Sequence, residues 1–518
     1  METDYPTADY EARILQLNKR NAELECAVAE LTALVEHFKE LFKLSQHRRF
    51  GASSEKTHNA NQLNLFGDPQ PEQSAAPDVP ETETISYTRR KKVGKRQEDL
   101  SKLPLEVIDY DVPASERECP KCGDLAREIG VDTRSEIKII PPQVIHVEHR
   151  RKVYKFDCDC EDTFDKTQIL KADAPEPLIK GSVASASAIA YIMTQKYLMH
   201  LPLYRLEQDF KRQGVFINRQ NMANWIIMIC LDLLQLIYDC LCKKLLEHTA
   251  LHSDDTGVKV LREPGKESQS KSTMWLYRTG GDSQSPLAVY EYQPNQNGEH
   301  PQNFLKGWHG FCHTDGFAGY HNIENVTIVG CWAHVRRKFN DAFKVSGAPD
   351  SPAKIGLDYC NQLFALERKF ADMSPEERFK AREEFSRPVA LAFFSWAESV
   401  FVIPKTAICT AITYLLNQRE WLMNVYLDGR LELSNNRGER SIKPFVMGRK
   451  NWLFSNSVNG VKASAIAFSI IETAKENGLI PFEYLKFLLE TLPNTTTSKI
   501  EQLMPWSDSL PASCRIPT

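Results

Sequence analysis

Residues 249–254 read TALHSD, a short run of apolar and small residues that ends on an acid and follows a long stretch with helical spacing. A run of this kind predicts a β-strand. Four further strand-like segments follow: TMWLYR at 273–278, LAVYEY at 287–292, GFCHTD at 310–315 and VTIVGCW at 326–332. Gly280 and Gly281 predict a hairpin turn between the second and third strands, and QNFLKGWH at 302–309 predicts a helix before the fourth.

This order of three strands, a helix, a strand, a crossover and a strand is typical of a ribonuclease H-like α/β sheet. In such a sheet the first and fourth strands lie side by side. Asp254 lies at or near the end of the predicted first strand, and Asp315 at or near the end of the fourth. The order therefore predicts that their two carboxylates meet.

Two carboxylates a few ångström apart repel each other unless a hard cation neutralises them, and Mg²⁺ (or Mn²⁺) is the natural occupant. Phosphoryl transfer without a covalent enzyme intermediate favours two such ions and a third carboxylate. Glu439 supplies it best, in a segment where Asn435 or Asn436 is expected to cap a short helix that ends before Pro444. The alternative is that these acids are surface charges, but the strand-end positions of two of them favour a site.

The net charge of −4 does not indicate a nucleic-acid binder, but it conceals basic clusters. They are RRKKVGKR at 89–96, HVRRK at 334–338 and the basic residues of 437–450. A solvated surface explains any one cluster about as well as DNA does. From the last two clusters we expect DNA contacts by Arg336, Arg337, Arg440, Lys443, Arg449 and Lys450. Lys443 would share a helix face with Glu439 and reach a phosphate beside the metal ions.

The chain length predicts several domains, and the predicted strands and helices make the protein multidomain α+β. A chain of 518 residues is too long for one ordinary core, and 42% hydrophobic with 25% charged residues is typical of soluble globular proteins. We expect no secretory signal and no membrane-spanning run, and therefore a cytoplasmic protein. The scattered cysteines, such as Cys230, Cys240, Cys331 and Cys409, are then expected to be reduced and to pack as small hydrophobes.

Residues 10–42 repeat apolar residues at spacings of four and three. Ile14, Asn21, Val28, Val35 and Phe42 take position a of a heptad, and Tyr10, Leu17, Leu24, Leu31 and Phe38 take position d. This pattern favours a parallel two-stranded coiled coil, and therefore a homodimer or higher oligomer. A single amphipathic helix packed on its own chain is the alternative. The polar, proline-rich residues 67–84 predict a flexible linker.

A cysteine knuckle follows the linker. Cys119 and Cys122 form a CxxC pair, and Cys158 and Cys160 form a CxC pair after segments that alternate like strands. Four thiolates are enough for a closed tetrahedral site, so we predict structural Zn²⁺ on these four cysteines. A redox CxxC pair and metal-free structural cysteines are the alternatives.

Within the helical residues 183–249, the segment 201–229 is organised as a helix-turn-helix. A first helix from Leu203 to Arg212 is followed by a turn at Gly214 and a second helix capped by Asn218. Met222 and Trp225 of the second helix are expected to face inward. The residues expected to reach base edges in a major groove are Arg219, Gln220, Asn221 and Asn224. An ordinary helical hairpin is the alternative.

Five strings taken together resemble the insertion-sequence-66 (IS66) type of bacterial DDE transposases. They are HSDDTGVKVL, GEHPQNFLKGWHGFCHTDGFAGY, VGCWAHVRRKF, NNRGERSIKPFVMGRKNWLFS and SIIETAKENGLIPFEYLKFLLETLP. The resemblance covers nearly the whole chain and implies that Asp254, Asp315 and Glu439 are the DDE triad. Asp255 stands where the family more often has Glu, and Ser434 where an acid commonly precedes the paired asparagines. Neither departure removes a triad member.

The predicted domains are a coiled coil at 8–45, a basic flexible linker at 46–100, a zinc-binding domain at 101–172, a helical DNA-binding region at 173–248, a catalytic domain at 249–478 with a helical insertion at 346–430, and a C-terminal helical segment and tail at 479–518. The resulting hypothesis is a magnesium-dependent transposase that acts on terminal inverted repeats and target DNA, with accessory proteins as possible partners. A transposase-derived DNA-binding regulator without chemistry and a stand-alone nuclease are the alternatives.

Overall fold

The structure is a computed structural model that describes residues 18–25, 35, 107, 142–155, 169–173 and 176–517, apart from 268, 269, 322 and 496. The chain divides into two compact units, residues 1–51 with 146–516 and residues 52–145 with 517–518. Residues 107, 142–145 and 517 are the described part of the second unit. The elements below belong to the first unit.

The main sheet is mixed and has the strand order β5-β4-β3-β6-β7, with β8 paired to β3 outside this path. Its strands are β3 (Ala250–Arg262), β4 (Lys271–Thr279), β5 (Ala288–Gln293), β6 (Gly310–His313), β7 (Val326–Val329) and β8 (Ser455–Ser457). Earlier in the chain, β1 (Val153–Lys155) and β2 (Ile169–Lys171) form an antiparallel pair. The first three strands of the main sheet are antiparallel neighbours, whereas β6 runs parallel to both β3 and β7. This confirms the predicted neighbourhood of the first and fourth strands.

Strand β3 is longer than the sequence predicts. It does not end at Asp254 but continues to Arg262, so the prediction of a strand end at this aspartate is wrong. The reason is that residues 256–262 keep the alternation of a strand, with Val258 and Val260 buried and Lys259 exposed, and that residues 256–259 pair with β4. β3 pairs with β6 at residues 250–252 and with β8 at Val260 and Arg262, so Asp254 lies between these two pairings.

Helices surround this sheet. The α-helices are α1 (Ala186–Tyr197), α2 (Leu203–Arg212), α3 (Arg219–Ile229), α4 (Gln235–Leu245), α5 (Glu299–Phe304), α6 (Trp332–Ser346), α7 (Pro352–Lys369), α8 (Pro375–Ala381), α9 (Arg387–Ser399), α10 (Ala407–Asn417), α11 (Arg419–Met423), α12 (Asn436–Trp452), α13 (Val458–Glu476) and α14 (Pro481–Thr491). π-helical turns at Cys230–Leu234 and Arg382–Ser386 join α3 to α4 and α8 to α9. The residues predicted to form a helical insertion are therefore helical.

Helix α12 also differs from the expectation, because it does not end before Pro444 but continues to Trp452. A proline inside a helix removes one backbone hydrogen bond and crowds the preceding turn, which weakens the helix. Here tertiary contacts stabilise both sides of it. Ile442 and Phe445 are buried in the core, and the Tyr290 hydroxyl donates a hydrogen bond to the Ser441 carbonyl.

Two hydrophobic clusters support the sheet. The larger one joins residues of β3, β4 and β5 to α1, α3, α4, α13 and α14, and α13 is tied to β5 where the Tyr290 N–H donates to Ser469 Oγ at 2.8 Å. The second cluster lies among α6, α7, α9 and α10 around Trp332, Phe339 and Phe393. The helices between the acids Asp315 and Glu439 thus have a core of their own.

One continuous helical run, Arg219–Leu245, is 27 residues long and, by length and composition alone, apolar enough to cross a membrane. The sequence analysis expected no such run. Its residues Ile226, Leu234 and Leu241 are buried in the larger hydrophobic cluster. A helix buried in a protein core meets the same criterion, so this one run does not indicate a membrane protein.

Candidate active site

Two of the predicted acids lie on neighbouring parallel strands. His252 of β3 is opposite His313 of β6 in the register, and Asp254 and Asp315 each follow two residues later. Asp315 lies just beyond the end of β6, as predicted. Its Oδ1 accepts a hydrogen bond from the Phe317 N–H at 3.0 Å, and its carbonyl accepts one from the Tyr414 hydroxyl at 2.9 Å. The turn after β6 is therefore held in place by both its own backbone and α10.

The third acid, Glu439, lies in the first turn of α12. Asn435 precedes this helix, but its side chain does not cap it, so that prediction is wrong. Instead, Asn435 Nδ2 donates to the Ser253 carbonyl at 2.7 Å, and Asn435 Oδ1 lies 2.9 Å from His252 Nδ1. Both bonds are to β3, so this buried asparagine fixes the start of the Glu439 helix against the strand of Asp254.

The acidic side chains interact electrostatically. The pKa of Asp254 is raised to about 7, mainly by burial, and the carboxylates of Asp315, Asp255 and Glu439 add to the increase. The pKa of Asp255 is raised to about 6 by burial and by Asp315, against a hydrogen bond from Gln296 Nε2 at 2.9 Å. The fold thus brings negative charge from β3, β6 and α12 into one region.

A second set of groups surrounds Glu439. Arg337 donates to Glu439 Oε2 at 3.1 Å, and His334 Nδ1 lies 3.7 Å from Glu439 Oε1. The Cys331 thiol, at the start of α6, completes a group whose potential ligand atoms all lie within 4.8 Å of one another. Burial raises the pKa of this thiol to about 11 and lowers the pKa of His334.

This group is not predicted from the sequence, where Cys331 is interpreted as a small hydrophobe and His334 only as part of a basic cluster. The Cys-x-x-His spacing at the start of a predicted helix was the available signal.

Two buried histidines support the site from within the sheet. The rings of His252 and His313 are stacked with their centroids 4.3 Å apart. Burial lowers the pKa of His252 to about 3 and that of His313 well below its usual range, so both rings are neutral. His313 Nε2 accepts a hydrogen bond from the Glu432 N–H at 3.3 Å. These neutral rings fill the space beside the acids without adding positive charge, and the sequence analysis did not identify them as part of the site.

The site has the composition expected of a divalent-metal centre. Neighbouring carboxylates raise the pKa of Asp254, and a hard cation with oxygen ligands relieves this repulsion. Glu439 Oε1 is buried without a hydrogen-bond partner among the described residues. An unpaired buried carboxylate oxygen is costly, and a metal ion would satisfy it. The residues present therefore fit a metal ion.

Comparison with known protein families gives matches along most of the chain. The model described as Transposase IS66 family matches residues 181–463, which include all three acids. The chain belongs to the IS66 transposase family. Three further models match: IS66 C-terminal element at 469–506, zinc-finger binding domain of transposase IS66 at 116–161, and Transposase C of IS166 homeodomain at 37–108.

Relatives of this IS66 transposase occur in Sinorhizobium fredii (strain NBRC 101917 / NGR234). Uncharacterized protein y4qI is 30% identical over 78% of this chain and 75% of its own length, and Uncharacterized protein y4hP is 26% identical over 81% and 78%. Among solved structures, the Drosophila P element transposase strand transfer complex is 9% identical over 56% of this chain and 92% of that chain, with a TM-score of 0.29. A TM-score this low does not establish a shared fold.

The predicted helix-turn-helix of the IS66 chain has the expected local geometry. α2 and α3 flank a turn in which Gly214 has φ +80°, and Asn218 caps α3 by accepting from the Asn221 N–H at 2.7 Å. Met222 is buried and Trp225 half-buried, as expected. The predicted base-reading residues Arg219, Gln220, Asn221 and Asn224 are all exposed. Gln220 Nε2 donates to Asn224 Oδ1 at 2.9 Å, so these two amides form a pair.

The basic residues predicted to contact DNA divide into two groups. Arg440, Lys443 and Lys450 are exposed along α12. The other three have protein partners: Arg336 donates to Asn361 Oδ1 at 2.9 Å, Arg337 to Glu439, and Arg449 to Thr256 Oγ1 at 3.0 Å. Arg337 and Arg449 therefore connect the helices of the site to its acids and to β3.

The predicted zinc ligands Cys119, Cys122, Cys158 and Cys160 lie outside the described residues, and all four fall in the range matched by the zinc-finger model. Of the predicted coiled coil, residues 18–25 and 35 are described and helical. Leu24 and Val35, at predicted positions d and a, are 49% and 50% exposed. The whole predicted linker at 46–100, including residues 89–96, falls in the range 37–108 matched by the homeodomain model and outside the described residues.

Proposed function

We propose that this chain is a DDE transposase that cleaves DNA at the ends of its insertion sequence and joins those ends to target DNA. Its catalytic domain is a ribonuclease H-like fold with Asp254, Asp315 and Glu439 as the triad. The strand order β5-β4-β3-β6-β7 supports this fold, because it makes β3 and β6 parallel neighbours.

The observation that carries the proposal is the electrostatic effect of the other two acids on Asp254. Asp315 and Glu439 come from a different strand and from a helix more than a hundred residues further on, yet both raise the pKa of Asp254. Carboxylates that repel one another destabilise a fold, and such groups are concentrated at functional sites.

The triad would hold two divalent cations, Mg²⁺ or Mn²⁺, which when bound stabilise the attacking and leaving oxygens of an in-line displacement. Other residues of the chain hold the triad carboxylates in place for these ions. Asn435 fixes the Glu439 helix to β3, and Arg337 holds one Glu439 oxygen while the other remains available for a metal ion. Water first attacks the phosphorus at the element end and displaces the 3′ oxygen of the element strand. The freed 3′ hydroxyl then attacks a phosphorus of the target DNA and displaces the 3′ oxygen of the target strand.

DNA binding is assigned to two surfaces. The exposed donors of α3 read base edges in the terminal inverted repeats, and Arg440, Lys443 and Lys450 of α12 contact phosphates near the triad. The predicted zipper pairs two chains so that two ends are held together. Structural Zn²⁺ on Cys119, Cys122, Cys158 and Cys160 organises the domain between zipper and helix-turn-helix.

A strand-transfer assay with linear element ends and Mg²⁺ tests the proposal. We expect Asp254→Asn, Asp315→Asn and Glu439→Gln each to lower strand transfer by more than about a hundredfold, because losing a metal ligand exceeds the 10–100-fold effect of a lost outer-sphere partner. End binding by gel shift should persist. Asp341→Asn, an exposed acid on α6, is the matched control and should remain active.

The same assay separates the alternatives. A wild-type protein that binds ends but neither cleaves nor joins them is a DNA-binding regulator, and one that cleaves without joining is a nuclease. Full strand transfer by any one triad variant would remove that residue from the triad.

A further inference from the structure

Cys331, His334 and Glu439 form a compact group beside the proposed triad. Cys331 precedes α6, His334 lies in its first turn, and Glu439 lies in the first turn of α12. One ligand atom from each of them lies within 4.8 Å of the other two. The group thus gathers a sulfur, a nitrogen and an oxygen around one point.

Two atoms of this group have unmet bonding capacity. Arg337 occupies Glu439 Oε2, whereas Glu439 Oε1 is buried without a hydrogen bond from any residue in the described part of the chain. His334 Nδ1 is also buried without one, and it faces Oε1 at 3.7 Å, beyond hydrogen-bond range. Buried polar atoms usually have a partner, so two that face each other across a gap suggest a missing ligand between them.

The donor set points to a different metal ion from that of the triad. Thiolate and imidazole ligands suit Zn²⁺, whereas oxygen-only sets suit Mg²⁺. Tetrahedral zinc, with bonds of about 2.0–2.3 Å, sets its ligands roughly 3.3–3.8 Å apart, so the group has to contract by roughly 1 Å. The Asn435 N–H, 3.2 Å from Cys331 Sγ, already provides the backbone hydrogen bond that a zinc-bound thiolate receives.

We propose that Cys331, His334 and Glu439 form a second, softer metal site that takes Zn²⁺, with water as the fourth ligand and the Cys331 proton released to solvent. Because Glu439 belongs to both sites, Zn²⁺ at this one withdraws it from the triad and inhibits strand transfer. This inhibitory consequence rests on the proposed function, whereas metal binding itself does not.

Cobalt spectroscopy of the full-length protein carrying one Zn²⁺ per chain, which fills the predicted four-cysteine site and leaves the second site open, tests the binding. Added Co²⁺ should give a thiolate-to-cobalt charge-transfer band in wild type, and Cys331→Ser should lose this band. His334→Gln should weaken Co²⁺ binding by more than about tenfold. Cys360→Ser, a buried free cysteine on α7, is the matched control and should keep the band. Absence of the band in wild type, or its persistence in Cys331→Ser, would overturn the site.

Zinc inhibition tests the shared glutamate. Strand transfer is measured in each variant as the ratio of rates with and without micromolar free Zn²⁺ at constant Mg²⁺. We expect wild type and Cys360→Ser to be inhibited and Cys331→Ser to be resistant. Equal inhibition of all three would overturn the role of this site in inhibition. The cobalt band is measured without strand transfer, so the two proposals fail separately. Absence of the band contradicts the zinc site and not the proposed function. Absence of strand transfer contradicts the proposed function and leaves the cobalt test of the zinc site valid.

Discussion

Asp254 lies in the interior of a strand, half-buried and within electrostatic reach of three other carboxylates. An acid whose pKa is raised in the folded protein destabilises the fold whenever the pH leaves it ionised. The ordinary value for aspartate is 3.8 and the value here is about 7. The raised pKa of Asp254 therefore costs the metal-free protein no stability below about pH 4. The cost grows as the pH rises and is complete above about pH 7.

The change Asp254→Asn removes this penalty. In metal-free protein we expect it to raise the free energy of unfolding at pH 8 by roughly 1–4 kcal/mol and to change it little at pH 4, since each pKa unit corresponds to about 1.36 kcal/mol. Urea unfolding at the two pH values measures the difference. Asp341→Asn should be neutral at both, and an Asp254→Asn protein no more stable than wild type at pH 8 would refute the assignment.

At this scale the sequence predicts three acids for one site, but not the contacts that hold them there. Asp254 and Asp315 follow strand patterns and Glu439 belongs to a recognisable string, so all three could be predicted. The contact of Asn435 with Ser253, and that of His334 with Glu439, join residues more than a hundred positions apart. Local patterns do not predict contacts between residues so far apart. A polar residue before a helix, such as Asn435, is predicted from its neighbours only as a helix cap.

At the scale of elements, the junction between α12 and β3 depends on Asn435. Asn435→Ala would remove two hydrogen bonds and leave His252 Nδ1 and the Ser253 carbonyl buried without these partners. We expect a loss of about 2–4 kcal/mol in stability and about tenfold or more in strand transfer, since Glu439 loses its anchor. Asn436→Ala, at the neighbouring half-buried residue, should have little effect on either. Equal effects of both changes in urea unfolding and strand transfer would contradict this role.

Helix α3 is expected to supply sequence specificity. Gln220→Ala removes an amide that is predicted to read a base, and it also breaks the hydrogen bond to Asn224. Discrimination between the terminal repeat and unrelated DNA should fall by about 1–3 kcal/mol, measured by competition gel shift. Gln502→Ala, at an exposed glutamine near the C-terminus, is the control. Unchanged discrimination in Gln220→Ala would argue against major-groove reading by this residue.

The order and pairing of the strands could be predicted, but the lengths of two elements could not. β3 continues past Asp254 because β4 and β8 pair with its second half, and α12 continues past Pro444 because Ile442 and Phe445 are buried. In both cases tertiary contacts override a local stop signal.

At the scale of the whole molecule, pairing of two chains through the zipper is the central expectation. Leu24 is exposed in the single chain at a predicted seam position. Leu24→Glu should convert a dimer of about twice 59.1 kDa into a monomer, as measured by light scattering. Lys19→Glu, off the predicted seam, introduces the same side chain and should leave the dimer intact. A dimeric Leu24→Glu protein would contradict the zipper.

The helices between Asp315 and Glu439 show how much of the tertiary structure can be predicted from hydrophobic periodicity. Their spacing predicted helices, and α7, α9 and α10 pack with α6 around Trp332 and Phe393. Periodicity identifies a buried face but not its partner. The separate core of these helices, which positions Cys331 and His334 next to Glu439, therefore became visible only in three dimensions.

The central claim is that three distant acids converge on divalent metal ions. Cys331→Ser protein, which lacks the proposed second metal site, is loaded with Fe²⁺ in place of Mg²⁺ and treated with ascorbate and peroxide, so that hydroxyl radicals cut it close to the metal. We predict backbone cuts near Asp254, Asp315 and Glu439 together, suppressed by excess Mg²⁺ and lost in Asp254→Asn. Cuts near only one of these residues, or cuts that Asp254→Asn leaves unchanged, would contradict the claim.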